Sequence, residues 1–432
     1  MPFQTLTSLR GPVRIPTSKP HTQRALLMAA LADGTSTIRR PNVCSESILL
    51  REAVTSLGAR ITDQDGDLVV QGVSGKPRRP KSVLHAAGSG FALRHLLPIA
   101  ALAEAPCVLT GDRRLAGRPI RPLLEALAAL GGRAESADPE LVLPLVTWSQ
   151  GITGGRVEVP AAETSQFVSA LMLAAPYAAD AVSLHLPGKI VSHYYIRMTV
   201  EMMTRFGAGV RATEDLQTID IQPGGYQARD TLIGPDVTSL FYFIAAAVIV
   251  DTDILVEDVV LGQDAFLDSV VELGRSLGVL LEQKGSALRI ASGAPPSEQV
   301  VIDASDIPTL VPALAAAASS LPHGMLVRNA RHLQHHKTSR LEIVIAELAR
   351  TGRVLRPLHR DGELDGFETD RVESATAVEV DSHGDHRNFM ALCLASMAVD
   401  TPVHVLGAET LSTSFADFED CFRALAVTLA HA

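Results

Sequence analysis

The chain has 432 residues, of which 47% are hydrophobic, 4% aromatic and 20% charged. This composition excludes a disordered tail protein, a collagen-like chain and a coiled coil, because each departs strongly from average globular usage. The length predicts two domains, each large enough to bury a core. The formal net charge of -10 gives no global affinity for nucleic acid or an anionic membrane, so any anion site must be local.

The cysteines and the N-terminal segment indicate a reduced, soluble protein. The four cysteines are far apart and show no pair spacing typical of a zinc knuckle or redox motif. The first residues lack a charged start followed by an apolar core, and no apolar run reaches the roughly 18 residues that a membrane span needs. We therefore expect a cytoplasmic protein with no membrane segment.

An amphipathic helix that ends in a glycine recurs along the chain with a period of about 72 residues. Glycine in this place closes the last turn of a helix, because it adopts the left-handed conformation at little steric cost. Short alternating segments typical of strands follow several of these glycines. The glycines of this series are Gly58, Gly131, Gly207, Gly278 and Gly352.

A second series has the same period and consists of Ala-rich helices that are apolar on nearly every face, which predicts burial on nearly every face. The six predicted helices are residues 22–33, 91–104, 165–177, 239–250, 308–321 and 385–399. Six units of about 72 residues account for the whole chain, which closes with a helical stretch over 418–432. The sequence thus predicts an α/β or α+β protein of six βαβαββ repeats.

Polar residues concentrate at the starts of these apolar helices. Helix N-termini carry free N–H groups and a positive dipole end, so several of them aimed at one cleft would bind anions. The alternative for any single helix is that Thr164, Ser239 or Asp385 is only an N-cap. The polar residues are Lys19, Arg24, Ser89, Arg94, Thr164, Ser165, Gln166, Asp236, Ser239, Asp306, Asp385, His386 and Arg387.

Motifs along the whole chain resemble the enolpyruvyl transferase family, and within it the EPSP synthases rather than the UDP-N-acetylglucosamine branch. The latter uses a cysteine in the loop that corresponds to residues 111–118, where this chain has none. The matching segments are Pro16-Thr17-Ser18-Lys19, Gly88-Ser89-Gly90-Phe91-Ala92-Leu93-Arg94, Leu109-Thr110-Gly111-Asp112, Arg118-Pro119-Ile120, Ser165-Gln166-Phe167, Ser192 with Tyr195, Arg340-Leu341 and Asp385-His386-Arg387.

The resemblance implies a two-domain inverse α/β fold, barrel-like, in which each domain contains three repeats and the buried helices begin at the interdomain cleft. It places residues 1–15 plus 229–432 in one discontinuous domain and residues 16–228 in the other. We expect the domains to close on ligands about hinges near residues 15 and 229.

The family transfers the enolpyruvyl group of phosphoenolpyruvate to the 5-hydroxyl of shikimate 3-phosphate and uses neither a metal nor an organic cofactor. The expected partners are therefore small anions, with no nucleic acid and no membrane. The resemblance also implies a monomer. Such chemistry needs a cationic site that holds two phosphates and two carboxylates, together with a base for the hydroxyl and an acid for the methylene carbon.

The resemblance assigns binding roles to individual positions. It matches Thr164, Ser165 and Ser192 to the hydroxyl groups around the shikimate phosphate, and Gln166 and Tyr195 to contacts with the ring. It matches Arg24 to the arginine that meets the shikimate carboxylate. The cations assigned to the second anion are Arg94, Arg118, Arg340 and Arg387, with Lys19 and His386 beside them.

The proton-handling positions depart from the family pattern. The acidic residue after Ile-Pro is Thr309, the Glu of the Lys-Glu-Thr-Asp-Arg motif is Lys337, and the Lys before the late Thr-Phe pair is Thr413. Pro20 replaces a serine of the opening motif and so lacks both the hydroxyl and the backbone donor. A threonine is no general base near neutral pH, and lysine in place of glutamate reverses the charge.

These departures leave three hypotheses open. One is enolpyruvyl transfer with a new acid and base among His336, Asp306 and His386, where Asp306 lies one helical turn before Thr309 if the buried helix begins early. Another is elimination of water or phosphate from a shikimate-type ring, as in a lyase, with Lys337 or Lys19 at the leaving oxygen. The third is a pseudoenzyme that only binds the ligand.

Other motifs carry less weight. Histidines at 332, 335, 336, 383 and 386 suggest a metal, but no Cys or carboxylate completes a recognisable ligand set, so we expect none. The basic segment at residues 76–81 is short and lacks aromatic residues, and it is better interpreted as a solvated loop than as a nucleic-acid site.

Overall fold

The computed structural model describes residue 3 and residues 6–138, 142–335, 338–374, 379–399 and 402–426. The chain divides into two compact units, Ser18–Ile233 and Met1–Thr17 with Gly234–Ala432. Here the first is called the middle unit and the second the split unit. The predicted residues His336 and Lys337 lie outside the described ranges.

Helices and strands alternate throughout both units. The strands are β1 (Ser8–Val13), β2 (Thr35–Arg39), β3 (Arg60–Gln64), β4 (Asp67–Gln71), β5 (Leu84–His85), β6 (Cys107–Thr110), β7 (Arg133–Ser136), β8 (Leu145–Trp148), β9 (Gly155–Glu158), β10 (Val182–His185), β11 (Val210–Ala212), β12 (Thr218–Ile221), β13 (Thr231–Leu232), β14 (Asp251–Val256), β15 (Leu280–Lys284), β16 (Ala287–Ala291), β17 (Val300–Asp303), β18 (Met325–Arg328), β19 (Arg353–Arg360), β20 (Glu363–Val372), β21 (Glu379–Asp381) and β22 (His404–Leu406). The helices are α1 (Lys19–Leu31), α2 (Ser45–Ser56), α3 (Gly90–Ala101), α4 (Arg113–Ala116), α5 (Arg121–Ala129), α6 (Gln166–Ala174), α7 (His193–Arg205), α8 (Val237–Ile249), α9 (Ala265–Ser276), α10 (Val311–Ala318), α11 (Arg340–Arg350), α12 (His386–Ser396) and α13 (Phe418–Leu425).

The repeated unit is a four-stranded sheet that begins with a parallel pair and continues antiparallel. In the order β5-β6-β8-β7, β5 and β6 are parallel and a buried helix, α3, connects them. The outer strands β7 and β8 form a hairpin that is antiparallel to β6. The same pattern recurs in the orders β13-β2-β4-β3, β9-β10-β12-β11, β1-β14-β16-β15 and β17-β18-β20-β19.

Two sheets take their edge strand from a distant part of the chain. β13 lies parallel to β2 in the middle unit, and β1 lies parallel to β14 in the split unit. The last repeat differs from the prediction, since within the described residues it has only the parallel pair β21 and β22 and no hairpin. The mixed α/β fold class is otherwise the one that the sequence predicted.

The apolar helices form the core of each unit. In the split unit, α8, α10 and α12 pack on one another, and all residues of α8 from Val237 to Ala247 are buried. In the middle unit, α3 packs on α6 and α1 packs on α7 and α2. Alanine-rich faces let these helix axes approach closely, which is why their alanines are almost fully buried.

The five predicted glycines end the amphipathic helices as expected. Gly58, Gly131, Gly207, Gly278 and Gly352 all have φ between 79° and 107° and each follows the last residues of a helix. A side chain is disfavoured in this left-handed region, so the period of these glycines marks the period of the fold.

Aromatic residues, few as they are, concentrate where α13 meets α8 in the split unit. The rings of Phe243 and Phe422 are stacked with centroids 4.6 Å apart. Phe3 stacks on Phe418 at 5.7 Å, which fixes the start of the chain against α13. Aromatic pairs of this kind contribute about 0.5–1.5 kcal/mol each beyond the area they bury.

A buried histidine joins two core helices of the middle unit. His95 on α3 donates from Nδ1 to the carbonyl oxygen of Phe91 at 2.9 Å, because a carbonyl can only accept. Its Nε2 lies 3.0 Å from Oγ of Ser169 on α6, and in the neutral ring it accepts from that hydroxyl. Burial, with a further effect from the Arg24 charge, holds the pKa of His95 well below its usual value.

We predict that the middle unit loses stability in acid because of His95. The folded ring stays neutral, whereas the unfolded ring takes up a proton below pH about 6.5, so acid favours the unfolded state. The free energy of unfolding should fall by about 1.4 kcal/mol per pH unit from there down to the folded pKa, relative to a His95→Gln variant.

Urea unfolding followed by the fluorescence of the single tryptophan, Trp148 in β8, reports on this unit. A His359→Gln variant at an exposed position should keep the wild-type slope against pH. Equal slopes for the wild type and His95→Gln would contradict the prediction.

Candidate functional site

The N-termini of the apolar helices carry polar side chains that satisfy free backbone N–H groups. Ser18, Ser89, Asp236 and Asp385 each accept a hydrogen bond from the backbone of the first turn of α1, α3, α8 and α12. The N-cap interpretation of Ser239 was wrong, since Ser239 lies inside α8 and donates its N–H to Asp236 at 2.8 Å.

The N-terminus of α6 is arranged differently. Thr164 accepts from the backbone N–H of Gln166 at 3.2 Å, while Ser165 is the N-cap residue and is buried. Ser192, the N-cap residue of α7, is buried with a left-handed backbone at φ 57°. Each of these hydroxyl groups lies at the start of a helix, where the positive end of the helix dipole favours an anion.

Arg24 is fully enclosed in the middle unit. Its Nε donates to Oγ1 of Thr199 at 2.8 Å, and the Thr199 hydroxyl in turn donates to the carbonyl oxygen of Tyr195 at 2.7 Å. The guanidinium lies 5.3 Å from the ring centroid of Phe91 and 5.7 Å from that of Tyr195. Burial lowers the pKa of Arg24 to about 10, so it remains a cation at neutral pH.

A second buried guanidinium lies nearby on α3. Arg94 donates to Oε1 of Gln166 at 2.8 Å and to the carbonyl oxygen of Pro119 at 2.9 Å, and it lies over the ring of Phe167. Burial, assisted by repulsion from Arg118, lowers the pKa of Arg94 to about 10. The structure thus brings Arg94, Gln166 and Arg118 together.

Glycine is required at the start of α3 because Arg118 occupies the space above it. A Cβ atom at Gly90 would lie 2.6 Å from a terminal nitrogen of Arg118, which is closer than real Cβ contacts. Gly88 is similarly close to a carboxylate oxygen of Asp112. The Gly-Ser-Gly segment therefore accommodates side chains from the following loop.

Lys19, the first residue of α1, forms an ion pair with Glu46 at the start of α2. The two charged atoms are 3.0 Å apart and both side chains are largely buried. This contact neutralises part of the positive charge that the sequence assigned to the opening motif.

The split unit contains a buried ion pair between Arg340 and Asp385. Nε and one terminal nitrogen of Arg340 donate to the same carboxylate oxygen, at 2.9 and 2.7 Å. The other oxygen of Asp385 accepts from the backbone N–H of Arg387 at 2.8 Å. Burial opposes ionisation of Asp385, but the Arg340 charge and these hydrogen bonds hold its pKa well below the usual range.

Arg387 and the predicted proton-handling position Thr309 lie together. A terminal nitrogen of Arg387 donates to the carbonyl oxygen of Thr309 at 3.4 Å, and Tyr242 donates to the carbonyl oxygen of Arg387. Oγ1 of Thr309 is 3.5 Å from Oγ1 of Thr238. The hydroxyl groups of Thr238 and Thr309 therefore lie together near Arg387.

The sequence analysis placed Asp306 near the position of Thr309 on the condition that the buried helix begins early. This prediction of the helix start was wrong. Asp306 is exposed, and α10 begins only at Val311. The proline at 308 disfavours a helical backbone at Ile307, so the helix does not extend back to Asp306.

His386 contacts the segment that precedes α13. Its Nδ1 is 3.1 Å from Oγ1 of Thr413, the last residue of a short 3-10 helix at Ala408–Thr413. The Thr413 hydroxyl also donates to the carbonyl oxygen of Thr410 at 2.8 Å. The imidazole is almost completely buried.

Several of these partners were not identified as site residues from the sequence. Thr199 supports Arg24 and Thr238 faces Thr309, whereas Thr413, already named from the family pattern, was not expected to contact His386. Only Thr199 has a local signal, because it lies four residues after Tyr195 on α7 and so shares its helix face.

Two features were sought in the described part of the chain, a membrane-spanning helix and a cluster of metal-binding side chains. Across these ranges no helix combines the length and apolarity that a membrane crossing needs. In the same ranges, His, Cys, Asp and Glu side chains form no group of three or more that could hold a metal ion.

Taken together, the fold and the site define a class, namely an α/β protein of repeated units with buried cations near the N-termini of its apolar helices. The family model for EPSP synthase (3-phosphoshikimate 1-carboxyvinyltransferase) matches residues 3–422. The chain therefore belongs to the EPSP synthase family.

Relatives and solved structures agree with this assignment. The 3-phosphoshikimate 1-carboxyvinyltransferase of Methanosarcina mazei is 32% identical over 95% of this chain and 94% of its own. That of Syntrophobacter fumaroxidans is 31% identical over 98% and 99%. An EPSP synthase structure from Acinetobacter baumannii covers 97% of this chain and 96% of its own with a TM-score of 0.78 at 20% identity, and so shares the fold.

We predict that Asp385→Asn destabilises the split unit by about 3–5 kcal/mol, because it leaves the Arg340 charge buried without its carboxylate. Differential scanning calorimetry of the whole chain measures the loss. The matched control is Glu419→Gln, which breaks the more exposed pair with Arg423 on α13 and should cost at most about 1 kcal/mol. Similar losses for both variants would contradict the prediction.

Proposed function

We propose that this chain transfers the carboxyvinyl group of phosphoenolpyruvate to a hydroxyl group of shikimate 3-phosphate or a closely related phosphorylated cyclic acid. Membership of the family supports the reaction type. The observation that carries the proposal for this chain is the burial of two guanidinium groups, those of Arg24 and Arg94, on neutral acceptors alone.

A buried charge normally has a partner of opposite charge. Within the described residues, neither Arg24 nor Arg94 forms an ion pair with a carboxylate, and their hydrogen bonds go to a hydroxyl, an amide oxygen and backbone carbonyls. Such cations are complementary to anionic groups of a ligand. We assign the ring carboxylate to Arg24 and a phosphate or carboxylate to Arg94, with Arg118 beside it.

The hydroxyl groups at the starts of α6 and α7 suit the phosphate of the cyclic acid. Thr164, Ser165 and Ser192 place hydroxyl groups at the N-terminal ends of these helices, where the helix dipole favours an anion. Gln166 and Tyr195 lie next to the two guanidinium groups and suit contacts with the ring. Arg387 and Arg340 suit phosphoenolpyruvate, although Asp385 already holds part of the Arg340 charge.

Proton transfer is assigned to His386 instead of a carboxylate. Thr309 and Thr413 stand where the family pattern has an acidic residue and a lysine, and a hydroxyl group does not remove protons near neutral pH. Imidazole does so in this range. We assign Lys19 as the cation that stabilises the leaving phosphate.

Elimination from the shikimate-type ring is a second candidate, favoured by the pair of hydroxyl groups of Thr238 and Thr309 at the position of the missing carboxylate. Elimination needs one base and a cation at the leaving oxygen, and no phosphoenolpyruvate. Mass analysis of products after incubation with shikimate 3-phosphate, with and without phosphoenolpyruvate, separates the two reactions.

Product that contains the carboxyvinyl group, formed only with phosphoenolpyruvate, supports the proposal. Turnover without phosphoenolpyruvate supports elimination. Tight binding by calorimetry without any turnover supports a pseudoenzyme and would overturn both reactions.

We predict that Arg24→Gln weakens binding of shikimate 3-phosphate by roughly 30- to 100-fold, since a hydrogen-bonded charge contributes about 2–3 kcal/mol. Calorimetric titration measures the loss. The matched control is Arg197→Gln on α7, where the exposed arginine donates only to the backbone of Glu214.

The stability of the ligand-free variant distinguishes an arginine that binds a ligand from one that only supports the fold. Removal of a buried charge that no carboxylate balances should leave the free energy of unfolding within about 1 kcal/mol of the wild type. A large loss of stability with unchanged binding would assign Arg24 to the core instead of the ligand.

A further inference from the structure

Thr199 is a buried residue of α7 whose hydroxyl group contacts the guanidinium of Arg24. Its oxygen lies 2.8 Å from Nε of Arg24 and 2.7 Å from the carbonyl oxygen of Tyr195. The direction of both hydrogen bonds is determined, because a guanidinium nitrogen only donates and a carbonyl oxygen only accepts. The Thr199 hydroxyl therefore gives its one proton to Tyr195 and accepts from Arg24.

The hydrogen bond to Thr199 decides which edge of the Arg24 guanidinium remains for a ligand. A carboxylate can meet a guanidinium across Nε and the adjacent terminal nitrogen, or end-on across the two terminal nitrogens. Thr199 occupies the first edge at Nε. Nη1 donates one of its two N–H groups to the carbonyl oxygen of Pro20 at 3.2 Å, which leaves the other for a further acceptor.

The end of the guanidinium is the part that lacks a partner. Among the described residues, Nη2 of Arg24 forms no hydrogen bond, yet it is not one of the polar atoms that are sealed from solvent without a partner. One N–H of Nη1 and one of Nη2 point along the same direction in the planar group. Together they match the two oxygen atoms of a carboxylate.

The flat face of the guanidinium is supported as well as its edge. The central carbon of Arg24 lies 5.3 Å from the ring centroid of Phe91, and Phe91 stacks on His95 with centroids 3.7 Å apart. His95 is itself hydrogen-bonded at both ring nitrogens. An arginine held at one edge and on one face loses little further side-chain freedom when it binds a ligand.

Thr199 also lies in line with two residues of α7 to which the proposed function assigns ligand contacts. Ser192, Tyr195 and Thr199 are spaced three and four residues apart, so they share one side of the helix. With a rise of about 1.5 Å per residue, Thr199 is about 10 Å along the axis from Ser192. This distance suits a phosphate and a carboxylate carried on one small ring, with a hydrogen bond at each end.

We propose that Thr199 is a positioning residue that occupies Nε of Arg24 and so directs the two terminal nitrogens to bind the carboxylate of the cyclic acid end-on. The inference rests on the proposed function, which supplies the ligand. All the groups that it uses belong to the middle unit. Thr199 acts through Arg24.

Thr199→Val keeps the shape of the side chain but removes the acceptor. Nε then has no fixed partner and the guanidinium can turn, so the dissociation constant for shikimate 3-phosphate should rise by about tenfold. Calorimetric titration of the whole chain without phosphoenolpyruvate measures this rise. Thr199→Ser keeps the hydroxyl group and should restore the wild-type value. In kinetics, KM for shikimate 3-phosphate should rise by the same factor with kcat unchanged.

A ligand without the carboxylate separates positioning from a structural role. The carboxamide of shikimate 3-phosphate keeps the ring and the phosphate but has no charge at the position of the acid. Thr199→Val should leave the affinity for this carboxamide unchanged, whereas a general disturbance of the site would weaken both ligands alike. In the Arg24→Gln background, Thr199→Val should cause no further loss for the acid, because the two residues act as one unit.

Thr204→Val is the matched control. Thr204 lies on the same helix and also donates to the carbonyl oxygen four residues earlier, that of Val200 at 2.9 Å, but it is exposed. This variant should bind both ligands as the wild type does. Thermal unfolding shows whether each variant is folded.

A measurement on the wild type tests the end-on geometry without any variant of Thr199. In the chain labelled with nitrogen-15 arginine, the signals of Arg24 are assigned by their loss in Arg24→Gln. Binding of shikimate 3-phosphate should shift the terminal nitrogens and leave Nε nearly unchanged. A larger shift at Nε than at the terminal nitrogens would overturn the inference.

The outcomes separate this inference from the proposed function. Unchanged affinity of Thr199→Val for the acid, or equal weakening of the acid and the carboxamide, would overturn the inference and leave the transfer reaction intact. A wild type that shows the expected binding pattern but transfers no carboxyvinyl group would overturn the proposed reaction alone. A wild type that does not bind shikimate 3-phosphate would overturn both.

Discussion

The burial of positive charge without a carboxylate partner is the constraint on which the middle unit depends. Arg24 and Arg94 remain cations with pKa values lowered to about 10, held by neutral oxygen atoms and aromatic faces. On the protein surface, water would hydrate such groups, but here the apolar helices α1, α3 and α6 enclose them. Because neither group forms an ion pair with a carboxylate of the described residues, these hydrogen bonds and aromatic contacts offset the cost of burying the charge.

The split unit uses the same kind of residue for the opposite purpose. Arg340 is compensated by Asp385, and the second oxygen of that carboxylate fixes the backbone of Arg387. The ion pair thereby sets the direction in which α12 begins and the position of His386. The Arg340 charge is thus balanced within the fold, whereas Arg24 and Arg94 form no ion pair with a carboxylate of the described residues.

The fold was predictable because its signals are local. A glycine after a helix and an apolar run of alanines each determine structure within one or two turns, and their common period gave the repeat. The hydrogen-bond partners were not predictable, because they come from distant residues: Thr199 for Arg24, Glu46 for Lys19 and Thr413 for His386. The prediction that the buried helix begins early enough to include Asp306 was wrong for a local reason. Pro308 disfavours a helical backbone at the residue before it.

Threonine and lysine at position 413 would differ in the hydrogen bond that they can form with His386. A lysine at position 413 has donors only, and beside Nδ1 it would favour a ring whose proton lies on Nε2. A threonine at that position accepts, provided that its own proton has another acceptor, and the carbonyl oxygen of Thr410 is that acceptor. Exchange of ammonium for hydroxyl thus reverses which nitrogen is basic. In either case the contact with position 413 sets the hydrogen-bonding role of Nδ1 of His386.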